Sequence, residues 1–179
     1  PSKRLPSKSS VRRNTFIMGN EPQASSVTVE QFLEMARDPL KLSFSAGEAY
    51  LGNEIEERSL NRPGLIFAGF QQYFAQRRIQ VIGLAELSYL KSLPENEQIN
   101  RLKAFYSRGI PGAIITRNRK PSLLMRELAE DYKVPLMRSP LITMDLISQA
   151  TVILADLMSP RVQVHGTMID IHGIGVLIQ

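Results

Sequence analysis

The stretch Ala113-Ile114-Ile115-Thr116-Arg117-Asn118-Arg119-Lys120-Pro121-Ser122-Leu123-Leu124-Met125-Arg126-Glu127-Leu128-Ala129-Glu130-Asp131-Tyr132-Lys133-Val134-Pro135-Leu136-Met137 decides the fold. After the loop Gly109 to Gly112, the apolar run Ala113 to Arg117 has the length and composition of a short buried strand. Pro121-Ser122 starts a helix, with Pro at an N-terminal position where its missing N–H costs nothing. That helix is expected to reach about Tyr132 with Leu123, Leu124, Leu128 and Ala129 inward. Val134 to Arg138 follows as a second strand, and Pro135 suggests an edge or a strand start. Strand, helix, strand is a βαβ unit, which favours a parallel pair. The expected class is α/β, a small mixed sheet flanked by helices.

Working outward toward the C-terminus, Thr143 after Ser139-Pro140 introduces a long helix to about Leu157. Its apolar residues Leu146, Ile147, Ala150, Val152, Ile153, Leu154 and Leu157 cover so much circumference that burial on two sides is expected. Ser159-Pro160 ends it and reads as a domain boundary.

Toward the N-terminus, Glu95 to Tyr106 is helical, with Ile99, Leu102, Phe105 and Tyr106 at core spacing. Glu86 to Leu90 is another helix, Arg77 to Gly83 a strand, and a short helix is expected around Gln71 to Gln76. Pro63-Gly64 marks a turn. Gly47 to Arg58 reads as a polar loop whose Glu48, Glu54, Glu56 and Glu57 form a solvated acidic face, since the oxygen spacing of a calcium loop is absent. Lys41 to Gly47 alternates with period two, a half-exposed strand. Thr28 is placed to N-cap the helix Val29-Glu30-Gln31-Phe32-Leu33-Glu34-Met35-Ala36, which Pro39 ends. Arg62, Arg77 and Arg78 are candidates to gather an anion, against the commoner fate of single arginines at turns, which is to be solvated or paired to nearby carboxylates.

The net charge of +5 is concentrated at one end. Residues 1–26 carry Lys3, Arg4, Lys8, Arg12 and Arg13 against Glu21 alone, a net of +4, and the rest of the chain is close to neutral at +1. This Ser/Pro-rich basic tail is expected to be disordered, a solubilising extension more than a nucleic-acid arm, because the interleaved aromatics of single-strand binders are missing. No apolar run approaches the ~20 residues needed to cross a bilayer. With no Cys and only two His, thiolate and His-rich metal sites are not expected.

The last stretch, Arg161 to Gln179, reads as two strands joined at His172-Gly173, where Gly is free to take the positive φ of a tight turn. In that register Ile171 faces Ile174, and His165 faces position 180, just beyond the last residue. An apolar strand running to a chain end leaves its core uncompleted, so further chain is expected after it. Here His165-Gly166-Thr167-Met168-Ile169-Asp170-Ile171-His172-Gly173-Ile174-Gly175-Val176-Leu177-Ile178 resembles the segment leading into the P-loop of bacterial HPr kinase/phosphorylase. Arg62-Pro63-Gly64-Leu65, the Gly69-Phe70 before Tyr73-Phe74, and Arg78-Ile79-Gln80-Val81-Ile82-Gly83 are similar to the N-terminal domain of the same family.

The resemblance implies a specific layout: a basic tail over 1–26, an N-terminal α/β domain over 27–159, and at 160–179 the first β-hairpin of a P-loop catalytic domain, with the phosphate loop directly after Gln179. It implies an enzyme that phosphorylates a serine of the phosphocarrier HPr with ATP or pyrophosphate, reverses the reaction with phosphate, and serves carbon catabolite regulation. ATP and Mg²⁺ are then cofactors of the longer protein, with none bound by these residues, which contain no Gly-Lys pair. A cytoplasmic protein, a hexameric parent family, HPr as partner, and neither membrane nor nucleic acid complete the expectation. His165 is the expected catalytic residue, because the matching His of the family is counted among the residues near the nucleotide and the phosphorylated serine. His172 and Asp170 are expected to support the turn. The rival expectation is a non-enzymatic α/β module that binds a small ligand or another protein.

Overall fold

The computed structural model describes residues 26–159, 167–171 and 174–178. The chain divides into two units, one spanning Ala24–Ser159, the other containing the C-terminal hairpin.

Three short parallel strands organise the larger unit: β4 (Gln80–Ile82), β5 (Ala113–Ile115) and β6 (Leu136–Arg138). Strand β2 (Ser43–Ala46) adds to β6 antiparallel, giving the order β2-β6-β5-β4. Alternate side chains of a strand point to opposite faces, and here each face has its own core. Val81, Ile114 and Met137 are cross-strand partners that join one cluster with Phe32, Leu146, Ala150 and Leu154. Ile82, Ala113, Ile115 and Leu136 join another with Leu102, Phe105, Tyr106, Met125 and Leu128. The sheet is thus buried on both sides, as the apolar parallel strands require.

The first cluster takes its helices from α1 (Val29–Ala36) and α6 (Thr143–Leu157), the second from α2 (Gly64–Phe67), α3 (Leu84–Ser92), α4 (Glu95–Tyr106) and α5 (Leu123–Asp131). Helix α1 begins with a full capping box: Thr28 Oγ1 accepts from Gln31 N at 3.2 Å, and Gln31 Oε1 accepts from Thr28 N at 2.9 Å. A two-stranded antiparallel ribbon, β1 (Val27–Thr28) with β3 (Glu54–Ile55), leads into it. The βαβ unit runs β5-α5-β6, and its strands are parallel.

The hairpin pairs β7 (Thr167–Ile171) with β8 (Ile174–Ile178) in the register Ile171↔Ile174 through Thr167↔Ile178, as expected. Its turn His172-Gly173, the tail at residues 1–25 and His165 lie outside the described residues.

Several expectations are corrected. Residues 71–76 form turns, and the helix lies earlier, at Gly64–Phe67, because Gly69 (φ 101°) and Tyr73 (φ 57°) break helical geometry. In α5 the cap is Ser122, whose hydroxyl accepts from Met125 N at 3.2 Å, so Pro121 precedes the helix. Met125, Leu128 and Ala129 face inward, and Leu123 is 62% exposed. Pro135 directly precedes β6, which is an interior strand. Helix α6 buries one stripe, Leu146, Ala150 and Leu154, and Val152 stays 69% exposed. The acidic loop contributes β3, and two of its glutamates are paired to arginines.

Candidate functional site

The carboxyl ends of parallel strands are where α/β sheets present ligand sites, because the following helices begin there with unpaired N–H groups. In this fold β4 runs through Gly83 into α3, β5 through the loop 116–122 into α5, and β6 through 139–142 into α6. Three helix N-termini therefore share one edge of the sheet.

That edge is tied together from below. Thr116 Oγ1 lies 3.1 Å from Thr143 Oγ1, joining the end of β5 to the first turn of α6. Gly83 packs so closely that a Cβ there would sit 2.9 Å from both Glu86 Oε2 and Thr143 Oγ1. The Glu86 carboxylate accepts from Gly83 N at 3.0 Å through Oε2, and from Arg62 Nε and Nη2 at 3.1 and 2.7 Å through Oε1. Its side chain is 5% exposed, that of Arg62 48%. With a backbone N–H and a two-pronged guanidinium already on it, Glu86 is spent on joining the Arg62 turn to the start of α3; it is a structural carboxylate, not a free base.

A cavity of about 590 Å³ opens on this edge between α3, α4 and the 116–122 loop. Leu87, Leu90, Leu102 and Met125 make its apolar wall, and Arg119 and Lys120 stand on its polar side. The loop is held by Arg117 N donating to Leu141 O at 2.9 Å and Asn118 N to Ser139 O at 2.8 Å, with φ of 58° and 50° at these two residues. An apolar cleft with a few convergent cations suits a small anionic ligand or a partner side chain.

Of the residues singled out from sequence, Arg62, Arg77 and Arg78 do not converge on an anion. Each holds a glutamate: Glu86, Glu56 at 2.6 Å, and Glu57 at 2.6 Å. His165 lies outside the described residues. Sequence reasoning passed over Arg119 and Lys120, although four consecutive polar residues, three of them basic, directly before a Pro-Ser helix start were the available signal. Among the described residues, no group of three His, Asp or Glu side chains is placed to hold a metal ion.

Comparison with known proteins identifies the family. The model described as "HPr Serine kinase N terminus" matches residues 27–154. An HPr kinase/phosphorylase of Brevibacillus brevis is 36% identical over 141 residues, which is 79% of this chain and 45% of that protein. That of Clostridium beijerinckii is 42% identical over 125 residues (70% and 41%), and that of Clostridium perfringens 37% over 155 residues (85% and 48%). The chain thus spans somewhat less than half the length of these curated relatives. Among solved structures, the CBS and DRTGG domains of the regulatory region of Clostridium perfringens pyrophosphatase align at a TM-score of 0.47 and 13% identity, covering 74% of this chain and 53% of that one, too loose a likeness to carry an argument. By its family match over most of its length, the chain belongs to the HPr serine kinase N-terminus family.

Proposed function

We propose that this chain is the N-terminal part of a bifunctional serine kinase/phosphorylase that phosphorylates the phosphocarrier HPr with ATP or pyrophosphate, reverses that reaction, and works in the cytoplasm in carbon catabolite regulation. The observation that carries this reading is the family match over 27–154, supported by relatives named HPr kinase/phosphorylase. On this reading residues 1–26 are a tail, 27–159 the N-terminal domain, and 160–179 the start of a catalytic domain that assembles into homo-oligomers.

The described hairpin pairs sum to 345; were that register to continue, residue 165 would stand opposite position 180. A phosphate loop beginning there would lie beside His165, whose role would be charge stabilisation or proton handling near the transferring group. The described residues do not fit ATP or Mg²⁺ themselves: the chain has no Gly-Lys pair for a P-loop. No phosphoryl-transfer step is assigned to these residues, and the 179-residue chain by itself is proposed to be inactive. The cavity of about 590 Å³ favours a regulatory, ligand-binding role for the N-terminal domain within the same protein.

The test is transfer of radiolabelled phosphate from ATP to the HPr serine, comparing the protein from the complete reading frame, its His165→Ala variant, and the 179-residue chain. Transfer is expected from the complete protein, reduced on the order of 100-fold in the variant, and absent from the short chain. Transfer by the short chain, or none by the complete protein, overturns the reading.

A further inference from the structure

A second pocket, about 400 Å³, lies on the far side of the Lys120-Pro121 segment, between β2 and the N-terminal end of α5. It is lined by Phe44, Ser45, Lys120, Pro121, Arg126 and Arg138. Three of those six residues are cations and none is an acid. Among the described residues Lys120, Arg126 and Arg138 form no ion pair, whereas Arg62, Arg77, Arg78 and Arg101 each hold a glutamate. Lys120 and Arg126 are exposed and make the mouth; Arg138 is half-buried and makes the floor.

The floor carries a second, independent sign. Arg138 Nε and Ser45 Oγ are both buried, and neither finds a hydrogen-bond partner among the described residues. A buried charged donor without an acceptor is expensive, and native folds rarely leave one so. Ser45 is there because of a β-bulge: the β2–β6 register passes from Phe44↔Met137 to Ala46↔Leu136 and leaves Ser45 unpaired. Bulges re-aim side chains and recur beside functional sites. This one brings Ser45 and its neighbour Phe44 to the same pocket, which a regular alternating strand would not do.

We infer that this pocket binds a small phosphate-bearing anion, held at the floor by Arg138 and Ser45 and at the mouth by Lys120 and Arg126. The donor set is all N–H and O–H, its charge suits a doubly ionised phosphate, and guanidinium groups match phosphate oxygens geometrically. The volume lies within the range of small-ligand sites. Phe44 and Pro121 offer an apolar wall to any organic portion. The site is independent of the kinase reading, because it uses residues of the N-terminal domain alone.

Calorimetric titration of the 179-residue chain with inorganic phosphate, and separately with glycerol 3-phosphate, tests this. Both are expected to bind at one site, more weakly in high salt. Arg138→Gln is expected to weaken binding at least about tenfold, since charge-assisted hydrogen bonds dominate such sites. Tighter binding of the ester assigns the organic portion to the Phe44 wall; equal binding assigns the site to free phosphate. Because Arg138→Gln sits at a strand end and can impair folding, circular dichroism is run alongside, and Ser45→Ala and Arg126→Ala decide if it does. Lys120 also borders the larger cavity, so it is left unchanged. No saturable binding, or binding that survives unaltered in the folded Ser45→Ala and Arg126→Ala variants, overturns the inference.

Discussion

Arg62 and Glu86 meet at 2.7 Å with opposite exposures, the carboxylate almost out of solvent and the guanidinium half in it. The two ends of this ion pair are therefore unequal. Arg62→Ala strands a buried carboxylate with only the Gly83 N–H on it, and is expected to destabilise by roughly 2–3 kcal/mol. Glu86→Gln keeps an acceptor for Gly83 and lets the arginine rehydrate, so about 1 kcal/mol is expected. Urea midpoints of the two variants check the order; a larger loss in Glu86→Gln contradicts it.

Tyr106 is wholly buried, and its hydroxyl has no partner among the described residues. Burial pushes its phenol well above the usual tyrosine range. Tyr106→Phe is expected to leave stability unchanged or raise it by about 1 kcal/mol, the ring packing against Phe105 being kept. The sign with pH follows from the raised folded value. The unfolded phenol loses its proton first, near pH ~10, so stability is full below that and falls as pH rises above it. Alkaline melts of Tyr106→Phe are expected to show a shallower fall.

Gly47 takes φ 72°, and a Cβ there would run into the Val134 carbonyl oxygen, a backbone atom with no freedom to step aside. Its N–H also donates to Glu130 at 2.6 Å, fixing β2 to α5. Gly47→Ala is expected to cost more than about 2 kcal/mol, from left-handed backbone strain and the clash together. A thermal midpoint within error of the parent would contradict this.

The Thr28 capping box is exposed, so its removal tests the cap without disturbing the core. Thr28→Ala is expected to cost about 1 kcal/mol, and Thr28→Ser much less. Equal losses in the two, read from urea unfolding, would show that the methyl group and not the hydroxyl matters.

The elements legible in the sequence are those with local punctuation. Helices Glu95–Tyr106 and Thr143–Leu157 have the bounds expected of them, because the first follows Pro94 at its start and the second ends just before Ser159-Pro160. Parallel pairing of β5 and β6 followed from the helix between them. What was misread depends on distant partners. Residues 71–76 look helical from their polar and aromatic content, yet Phe74 is placed by its edge contact with Phe105, 31 positions away. Helix α5 was expected to include Pro121 and to bury Leu123; it starts at Leu123 behind the Ser122 cap, and Leu123 lies exposed on its first turn. The pairing of Arg77 and Arg78 with Glu56 and Glu57 was one of three open outcomes, beside solvation and anion binding, and β3 brings the partners alongside. The Ser45 pocket was invisible for a deeper reason: a bulge exists only relative to its partner strand, here about 90 residues further on.

The irregularity at Ser45 also bears on how this protein keeps to itself. Strand β2 is the outer member of the four-stranded sheet, the place where a stray strand could add on. An extra residue in the middle of a four-residue strand kinks its free side and spoils the regular spacing of donors and acceptors that such an intruder needs. At the opposite margin β4 is partly shielded by the parallel bridge between Asn61 and Gln80, whose side chains also bond to each other at 2.8 Å. A sheet blunted at both margins is a poor template for growth by edge addition.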